Sequence, residues 1–380
     1  MDCQRRLSLV EQLPNDCMGC VLSFLFLHEL NALSLSSPRL NQASIESTHL
    51  YTSADGAFMS ERQLKAIISK FKSLQVLYLH GLASIGDALF DILNGATTTL
   101  REIYLYDCCL SCWSSTTLTL DNLTHLTIAG GSIRADLESF VSSNHLQSVT
   151  IGQCTSLRDE HIHDLCHQLQ TTLVDLSLNQ CLKLHSPRIQ GSSLKHLSLK
   201  GCFAMEELPD FDCPMLKSLS LSFCFQLKGA CIQNVTNQLE YLTNLSLVKC
   251  PLLTSLSIHS SSLQSCDVSL SNNLQNLTLH CASLLHLDTV SCTSLQEVTI
   301  VSSSLVTLNL SMLPMNELEL HTPALVNLRL CGCQRLTDSH VHIHAPILLE
   351  VDICGTSVTP ELHFLANVSN VKQDGVSTLL

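Results

Sequence analysis

Residues 173–181 (LVDLSLNQC), 194–202 (LKHLSLKGC) and 216–224 (LKSLSLSFC) are three nearly identical nine-residue units. Each unit has leucine at its first, fourth and sixth places and cysteine at its ninth place. Apolar residues that alternate with polar ones predict a short strand with one buried face. A single strand of this kind cannot bury its apolar side alone, so the copies must stack on one another. We therefore predict a protein built from stacked repeats.

The same pattern recurs along the chain and is that of a leucine-rich repeat. Repeat units begin 21 to 27 residues apart, at Leu74, Leu100, Leu123, Leu146, Leu173, Leu194, Leu216 and Leu242. The longer intervals leave room for a helix on the convex side of the coil. Such helices are predicted over residues 86–94, 134–141, 159–169 and 229–239.

After Leu242 the spacing of the units shortens to 10 or 11 residues. These units begin at Leu253, Leu263, Leu274, Leu284, Leu295, Leu305, Met315 and Leu325, and a last one at Leu348. A full turn of about 21 residues then holds two units, which predicts strands on both sides of a flattened coil. The predicted fold is an α/β solenoid, a leucine-rich-repeat horseshoe with helices on the convex side of the early repeats and β-strands on both sides of the later ones.

Cysteine is the recurrent residue at the ninth place. The chain contains 20 cysteines. Eight of them fall at the ninth place of a unit: Cys108, Cys154, Cys181, Cys202, Cys224, Cys250, Cys292 and Cys333. A fixed inward position suits a small thiol whose S–H group bonds to a turn carbonyl of the adjacent coil. Free buried thiols in this number indicate a reducing compartment.

The N-terminal segment does not follow the repeat. Leu13 and Pro14 open it, a first helix is predicted after Asn15 or Asp16, and a second helical stretch is predicted to end near Pro38. The run 13–42, LPNDCMGCVLSFLFLHELNALSLSSPRLNQ, resembles an F-box. The resemblance implies a small helical domain that docks an Skp-family adaptor and, through it, a cullin. The residues that it assigns to this contact are Leu13, Pro14, Val21, Leu22, Leu25, Leu30 and Leu33.

Four segments are expected from these patterns. Residues 1–50 form the F-box-like helical domain, 51–73 a linker helix and N-terminal cap, 74–356 the leucine-rich-repeat solenoid, and 357–380 a C-terminal cap. The last repeat would expose an apolar edge and unpaired strand groups if nothing covered it. We expect the tail to cover that edge with Leu362, Phe364, Leu365 and Val371.

Charge and hydropathy narrow the choice of partners. The net charge is -13, from 20 basic and 33 acidic residues, and the chain has no basic run. Nucleic acid and anionic membrane are therefore not expected as partners. The N-terminus lacks the apolar segment of a signal peptide, and the apolar run at 21–27 is too short to span a bilayer. We expect an intracellular protein in the cytoplasm, with the nucleus as the alternative.

Two histidine clusters have spacings that occur in metal sites. They are His340, His342 and His344, and His161, His163 and His167 near Cys166. Alignment of residues 340–346 with 318–323 puts Val341 and Ile343 inward and the first cluster on the outer surface, where no closed ligand shell is expected. Solvated histidines are the better explanation of both clusters. We expect no metal and no cofactor.

Catalysis by a cysteine is the enzymatic alternative. Most cysteines fall at buried repeat positions, where apolar surroundings raise the pKa of a thiol and block access to it. No activating cation or histidine recurs beside them in the sequence. We therefore expect no catalytic residue and no enzymatic activity in this chain.

The concave face of the solenoid is the better candidate for a functional site. The third, fifth and seventh places of each unit point out of the sheet, and rigid parallel strands present them as a ladder. The candidate binding residues are Tyr78, Glu102, Tyr104, Tyr106, His125, Asp175, Asn179, His196, Lys200 and Phe223. Aromatic residues are enriched at binding hot spots, although the tyrosines could simply cover the first coil. Later positions are mostly Ser, Thr and Asn and are interpreted as solvated surface.

The resemblance therefore implies a substrate-recognition subunit of an Skp–cullin–F-box ubiquitin ligase, in which the solenoid holds a target protein. The alternative is a leucine-rich-repeat interaction scaffold with no role in ubiquitin transfer, whose N-terminal segment is only a cap. Ser36, Pro38 and Leu40 favour the alternative, because the family commonly has valine at the first of these places and an aromatic residue at the last, and a proline can break the last helix. A small-molecule receptor is a third hypothesis, but the sequence offers neither a basic pocket nor an aromatic cleft.

Overall fold

The structure is a computed structural model that describes residues 13, 15–22, 25, 29–30, 38–45, 49–51, 60–71, 73–81, 89, 91–93, 99–108, 120–130, 145–228, 232, 239–359, 368–373 and 376–379. The chain divides into two compact units, Met1–Ser177 and Leu178–Leu380. Each is a stack of parallel β-coils, which confirms the predicted solenoid. In the description below, a place is a residue's position in its repeat unit, counted from the first leucine.

The described residues before the first repeat include three short helices. Helix α1 (Asn15–Leu22) contacts α2 (Pro38–Ile45), and the Arg39 Nη2 atom donates a hydrogen bond of 3.0 Å to the Leu13 carbonyl oxygen. Pro38 opens α2, and the stretch before it, in which a second helix was predicted to end near Pro38, lies mostly outside the described residues. Proline is well suited to the first helical position, where its missing N–H would have had no intrahelical partner.

Helix α3 (Glu61–Ile68) matches the predicted linker helix. The Ser60 hydroxyl accepts a hydrogen bond from the Gln63 backbone N–H, and the Gln63 side chain accepts one from the Ser60 N–H, so the two residues cap each other's backbone. Leu64, Ile68 and Phe71 are buried on the inner side of the helix. The first repeat begins shortly after this amphipathic helix, at Leu74.

The first unit contains six strands of a parallel sheet, which follow one another in chain order. The strands are β1 (His49–Tyr51), β2 (Val76–His80), β3 (Glu102–Tyr106), β4 (His125–Ala129), β5 (Ser148–Gly152) and β6 (Asp175–Ser177). Strands β2 to β6 each begin at a third place, as the repeat pattern predicts. Strand β1 lies before the first repeat and pairs with β2. The segment before the first repeat therefore contains a strand in addition to helices.

Helix α4 (Asp159–Gln168) lies within the range 159–169 for which a helix was predicted. It buries Ile162, Leu165 and Cys166. The other three predicted helices, over 86–94, 134–141 and 229–239, lie mostly or wholly outside the described residues.

In the second unit the strands that begin at third places form the front sheets. They are β8 (His196–Ser198), β10 (Ser218–Ser220), β11 (Asn244–Ser246), β13 (Ser265–Asp267) and β15 (His286–Asp288), followed by β17 (Thr307–Asn309), β19 (Asn327–Arg329) and β21 (Glu350–Asp352). Every neighbouring pair within these sheets is parallel and in register.

In the second unit, the repeats that alternate with these front strands form a back sheet of five parallel strands, as the shortened spacing predicts. These are β12 (Ser255–Ser260), β14 (Asn276–Cys281), β16 (Glu297–Val301), β18 (Glu317–His321) and β20 (Val341–His344). A short back pair, β7 (Arg188–Gln190) with β9 (Asp210–Asp212), occurs in earlier coils where the sequence predicted no strand.

The C-terminal edge of the front sheet is covered by a hairpin. Strand β22 (Asn370–Gln373) pairs in parallel with β21, and β23 (Val376–Leu379) returns antiparallel to β22. Val371 is fully buried, in agreement with its predicted part in the cap. The other predicted cap residues, Leu362, Phe364 and Leu365, lie outside the described residues.

The ninth-place cysteines link each coil to the one before it. The Cys202 thiol donates to the Leu178 carbonyl oxygen at 3.0 Å, and the Cys224 thiol donates to the Leu199 carbonyl oxygen at 3.3 Å. The same bond to the sixth-place carbonyl of the preceding coil is made by Cys250, Cys292 and Cys333. Ser271 replaces cysteine in one coil and its hydroxyl makes the same bond, at 3.0 Å to Leu247. The predicted buried thiol ladder is confirmed.

A left-handed residue closes each front strand. Among the described residues, all eight non-glycine residues and all five glycines with positive φ stand at the eighth place of a unit. Glycine adopts this conformation without steric cost, whereas residues such as Phe223 and Met312 are strained there. The backbone N–H of this residue donates to the seventh-place carbonyl of the next coil, for example from Gly201 to Ser222 at 2.8 Å.

Candidate functional site

The front sheet of the first unit brings three of the predicted tyrosines together. The rings of Tyr78 and Tyr106 are stacked with centroids 5.1 Å apart, and those of Tyr78 and Tyr104 are tilted at 6.1 Å. Their backbones are held in register by β2 and β3, and the apolar residues between them are buried. The tyrosine side chains are therefore presented on a rigid, partly exposed surface, which we call the tyrosine cluster (Tyr78, Tyr104 and Tyr106).

Polar side chains surround the tyrosine cluster. The Tyr104 hydroxyl donates to Glu102 Oε2 at 2.8 Å, and His80 Nε2 lies 3.3 Å from Asp107 Oδ2. His125 is the in-register neighbour of Glu102 on β4, and its Nδ1 atom is 2.9 Å from the Thr124 hydroxyl. The structure therefore places the predicted residues Glu102, Tyr104 and His125 side by side on β3 and β4.

The Tyr78 hydroxyl stays neutral at physiological pH. Burial raises the pKa of Tyr78 above its usual 10.0, and the nearby Tyr106 and Asp107 raise this pKa further. A neutral phenol can both donate and accept hydrogen bonds while its ring supplies apolar contact area. These properties suit recognition of a protein surface.

The remaining predicted residues do not join this cluster. Asp175 is at the start of β6, two strands beyond His125 in the first unit. In the second unit, Asn179 Oδ1 accepts a hydrogen bond of 2.7 Å from the Ser198 hydroxyl, and His196 is exposed on β8. Lys200 Nζ lies 5.2 Å from the centre of the Phe223 ring. The predicted site residues therefore belong to both units: Tyr78, Glu102, Tyr104, Tyr106, His125 and Asp175 to the first, and Asn179, His196, Lys200 and Phe223 to the second.

A polar cavity on the later front strands was missed by the sequence interpretation. It has a volume of about 540 Å³ and lies over β17, β19, β21 and β22. Its charged lining residues are Arg329, Glu350, Asp352 and Lys372. Arg329 and Asp352 stand at fifth places, so the alternation of charge was visible in the repeats. Lys372 was not predictable in this way, because β22 lacks the leucine pattern.

The helical segment holds the residues assigned to adaptor binding. Val21 is exposed (42%), whereas Leu22 and Leu30 are fully buried within the chain. Leu13 and Leu25 are half-buried. Pro14, Leu33 and Ser36 lie outside the described residues. Val21 is therefore the most accessible apolar side chain that the structure describes on α1.

The histidine clusters lie on surfaces of the two units. His342 and His344 are exposed on β20 while Val341 and Ile343 are buried, as predicted, and His340 is in a short turn just before the strand. The other cluster is on α4. Across the described part of the chain, no three His, Cys, Asp or Glu side chains are grouped so that they could hold a metal ion.

The cysteine thiols are mostly inaccessible. Burial raises the pKa of Cys224 to about 11 and that of Cys250 to about 12. Such thiols are protonated at neutral pH and are poor nucleophiles. None of the helices in the described ranges combines the length and the hydropathy needed to cross a membrane.

Comparison with known proteins gives only distant likenesses. No family model matches the chain, and no curated protein matches it. The solved structure of the Rad7–Elc1 complex from yeast is 16% identical over 98% of this chain and 90% of that chain, with a TM-score of 0.41. The mouse RP105/MD-1 complex is 16% identical over 88% of this chain and 64% of that chain, with a TM-score of 0.33. A leucine-rich repeat protein from Bacteroides ovatus is 13% identical over 80% of this chain and 79% of that chain, with a TM-score of 0.21. The leucine-rich-repeat fold is therefore assigned from the register of the repeats themselves.

Proposed function

We propose that this chain is the substrate-recognition subunit of an Skp–cullin–F-box ubiquitin ligase. The observation that carries the recognition role is the tyrosine cluster, in which three aromatic side chains and Glu102 are held in mutual contact on paired strands. Tyrosine is enriched at the centres of protein interfaces because its ring buries area while its hydroxyl bonds. A target protein would bind this rigid front face without ordering it first.

The adaptor would bind at the other functional part of the chain, helices α1 and α2. The F-box-like run 13–42 supports this role, and the exposed side chain of Val21 supplies an apolar contact on α1. The bond from Arg39 to the Leu13 carbonyl holds the opening of the segment against α2. An Skp-family adaptor bound here would in turn bring a cullin.

The chain would perform no bond chemistry itself. Its contribution would be proximity, because a bound target has a high effective concentration near a ubiquitin-charged enzyme held elsewhere in the complex. The protein would act in the cytoplasm, with the nucleus as the alternative compartment. It would need no cofactor.

A scaffold with no role in ubiquitin transfer is the second candidate, and one observation favours it. Leu22 and Leu30, which the F-box resemblance assigns to the adaptor, are already buried within the chain. Residues that pack internally cannot also form an interface without rearrangement. The segment would then be a cap, and the tyrosine cluster would still bind a protein.

Substitution of Val21 by aspartate separates the two candidates. We expect purified wild-type chain to co-purify with an Skp-family adaptor, and Val21→Asp to lose at least about 2 kcal/mol of binding free energy, a drop in affinity of more than tenfold, because a charge would be buried in the interface without a partner. Val21 is exposed in the free chain, so the circular dichroism spectrum and melting temperature should not change. Adaptor binding is measured by calorimetry.

Ala66→Asp is the matched control, since it also replaces an exposed apolar residue with a carboxylate, on a different helix, α3. This variant should bind the adaptor as the wild type does. If the wild-type chain does not bind any Skp-family adaptor, or if both variants bind it equally well, α1 is not the docking helix and the scaffold is the better interpretation.

A further inference from the structure

Three phenylalanines and two lysines form a separate surface on the second unit, which we call the phenylalanine–lysine patch (Lys200, Phe203, Phe223, Phe225 and Lys249). The rings of Phe203 and Phe225 are stacked with centroids 4.9 Å apart. Lys249 Nζ lies 5.7 Å from the Phe223 ring centre and 6.0 Å from that of Phe225. Lys200 Nζ lies 5.2 Å from the centre of the Phe223 ring, so the five side chains are contiguous.

This patch is exposed to solvent although its rings are apolar. Phe203 is 39% exposed, and Phe223 and Phe225 are half-buried. Phe203 and Phe225 stand at the tenth places of successive coils, in the turn that follows the front strand. The inward places of the same coils are filled by Leu199, Leu221 and the cysteine ladder. The rings of Phe203 and Phe225 are therefore not part of the buried core.

Two residues of the patch adopt a backbone conformation that their side chains disfavour. Phe223 has φ of +63° and Lys249 has φ of +56°, both at the left-handed eighth place. Glycine fills the same place without strain in neighbouring coils, as Gly201 does. Non-glycine residues occupy this place in other coils as well, so the left-handed conformation is a property of the repeat rather than of the patch.

The patch is also locally cationic in an acidic protein. Neither Lys200 nor Lys249 forms an ion pair with a carboxylate anywhere in the part of the chain that the structure describes. The Lys228–Glu206 pair, 3.1 Å apart, shows that a lysine in these coils can find such a partner. The two patch lysines instead lie over aromatic rings, with their charges open to solvent.

We propose that the phenylalanine–lysine patch is a docking site for an acidic segment of a partner protein that carries an apolar anchor between its carboxylates. The anchor, an aromatic or leucine side chain, would pack on the exposed edge of the phenylalanine stack. Flanking carboxylates would pair with Lys200 and Lys249, which come from the coils before and after that of Phe223. The proposal rests on the proposed function, since it names the chemical class of a segment that the target would present.

Charge favours a short acidic peptide over nucleic acid. A protein of net charge -13 repels an extended polyanion, and two lysines neutralise few phosphates. Phe203 and Phe225 are already stacked on each other with ring planes 12° apart, so the space between them is not available to a base. A segment with two or three carboxylates around one apolar side chain matches the number of groups in the patch.

Selection from a library of 12-residue peptides displayed on phage tests the proposal. The full-length chain is the target, and peptides with Asp or Glu on both sides of Phe, Trp or Leu are expected to be enriched. The enriched peptides are then made with a fluorescent label and their affinity is measured by anisotropy. Phe223→Gly should weaken binding at least about tenfold, as expected for a hot-spot residue. Because glycine relieves the left-handed strain, the melting temperature of this variant should equal or exceed that of the wild type.

Ser291→Gly is the matched control. Ser291 has φ of +62° at the same eighth place of another coil, so its replacement relieves the same backbone strain away from the patch. This variant should bind the peptides as the wild type does, and Lys249→Gly should bind them more weakly. Enrichment of basic or purely apolar peptides, equal binding by Phe223→Gly, or tighter binding of a 20-nucleotide oligo-dT would overturn the proposal. Adaptor binding is measured separately on the same variants, so failure of the patch leaves the adaptor result intact, and the reverse.

Discussion

Raising the pH from 9 to 11 is expected to destabilise the second unit strongly, because buried thiols would have to ionise. Burial raises the pKa of five of them from the ordinary value of 9.0, to about 12 for Cys250 and to about 11 for Cys224, Cys281, Cys292 and Cys333. Between pH 9 and 11 the unfolded chain loses these protons while the folded chain keeps them. Their stabilising contribution is therefore complete below pH 9 and is lost as the pH rises towards 11.

The expected loss is large compared with the stability of a domain. A thiol whose pKa is about two units higher in the folded state loses about 1 kcal/mol at pH 10. Five thiols together would remove about 5 kcal/mol, which is comparable with the whole free energy of unfolding of many domains. Urea denaturation, followed by circular dichroism at pH 7, 9, 10 and 11, measures this loss.

The double variant Cys224→Ser/Cys250→Ser isolates the contribution of the thiols. Serine already occupies the ninth place at Ser271, where its hydroxyl bonds to the Leu247 carbonyl, and a hydroxyl does not ionise in this range. The variant should lose less stability between pH 7 and 10 than the wild type, by about 2 kcal/mol. Tyrosines and lysines titrate in both proteins and cancel in the comparison. An identical loss in both proteins would contradict a role for the buried thiols.

Leu219→Ala is expected to lower the free energy of unfolding by about 3 kcal/mol, the usual cost of removing a buried leucine side chain and leaving a cavity. Leu219 lies on β10, at the fourth place of its repeat unit, and is 1% exposed. It pairs in register with Leu197 on β8 and Leu245 on β11, so the cavity would lie between two neighbouring coils. Urea denaturation at pH 7 measures the change.

Ser220→Ala is the control for this substitution, because Ser220 follows Leu219 on the same strand and points the opposite way. Its effect should stay within about 0.5 kcal/mol. Equal effects of the two substitutions would mean that the alternation of inward and outward places on β10 is wrong. The whole assignment of the front face would then need revision.

The core of the fold was predictable from the sequence because one register determines it. Leucines at the first, fourth and sixth places mark the strand starts, and cysteine at the ninth distinguishes front from back units. Even Ser271, an exception to the cysteine rule, keeps the hydrogen bond that the position requires. The prediction succeeded where each residue's role is repeated in many coils.

Elements without a repeat were not predictable in this way. Strand β1 and the hairpin of β22 and β23 cover edges of the sheets, and pairing with an existing edge, rather than a leucine pattern, makes them strands. The helix that begins at Pro38 was not predicted either. The left-handed eighth place was visible as a column that contains Gly81, Gly130 and Gly201, yet substitution by residues such as Phe223 obscured it.

The candidate surfaces were predicted in part. The tyrosine cluster follows from third, fifth and seventh places on adjacent strands, which the repeat register brings together. The phenylalanine–lysine patch does not, since Phe203 and Phe225 lie in the turns beyond the nine-residue unit. Contact between turns depends on coil geometry that the leucine pattern leaves open.

Hydrogen–deuterium exchange of the full-length chain, with and without a purified Skp-family adaptor, tests the central proposal most directly. The proposal separates an adaptor-binding helical segment from a target-binding front face. We therefore predict that the adaptor slows exchange in α1 and α2 and leaves strands β2 to β6 unchanged. Slower exchange in the front strands, or no change in α1 and α2 at saturating adaptor, would contradict this division of roles.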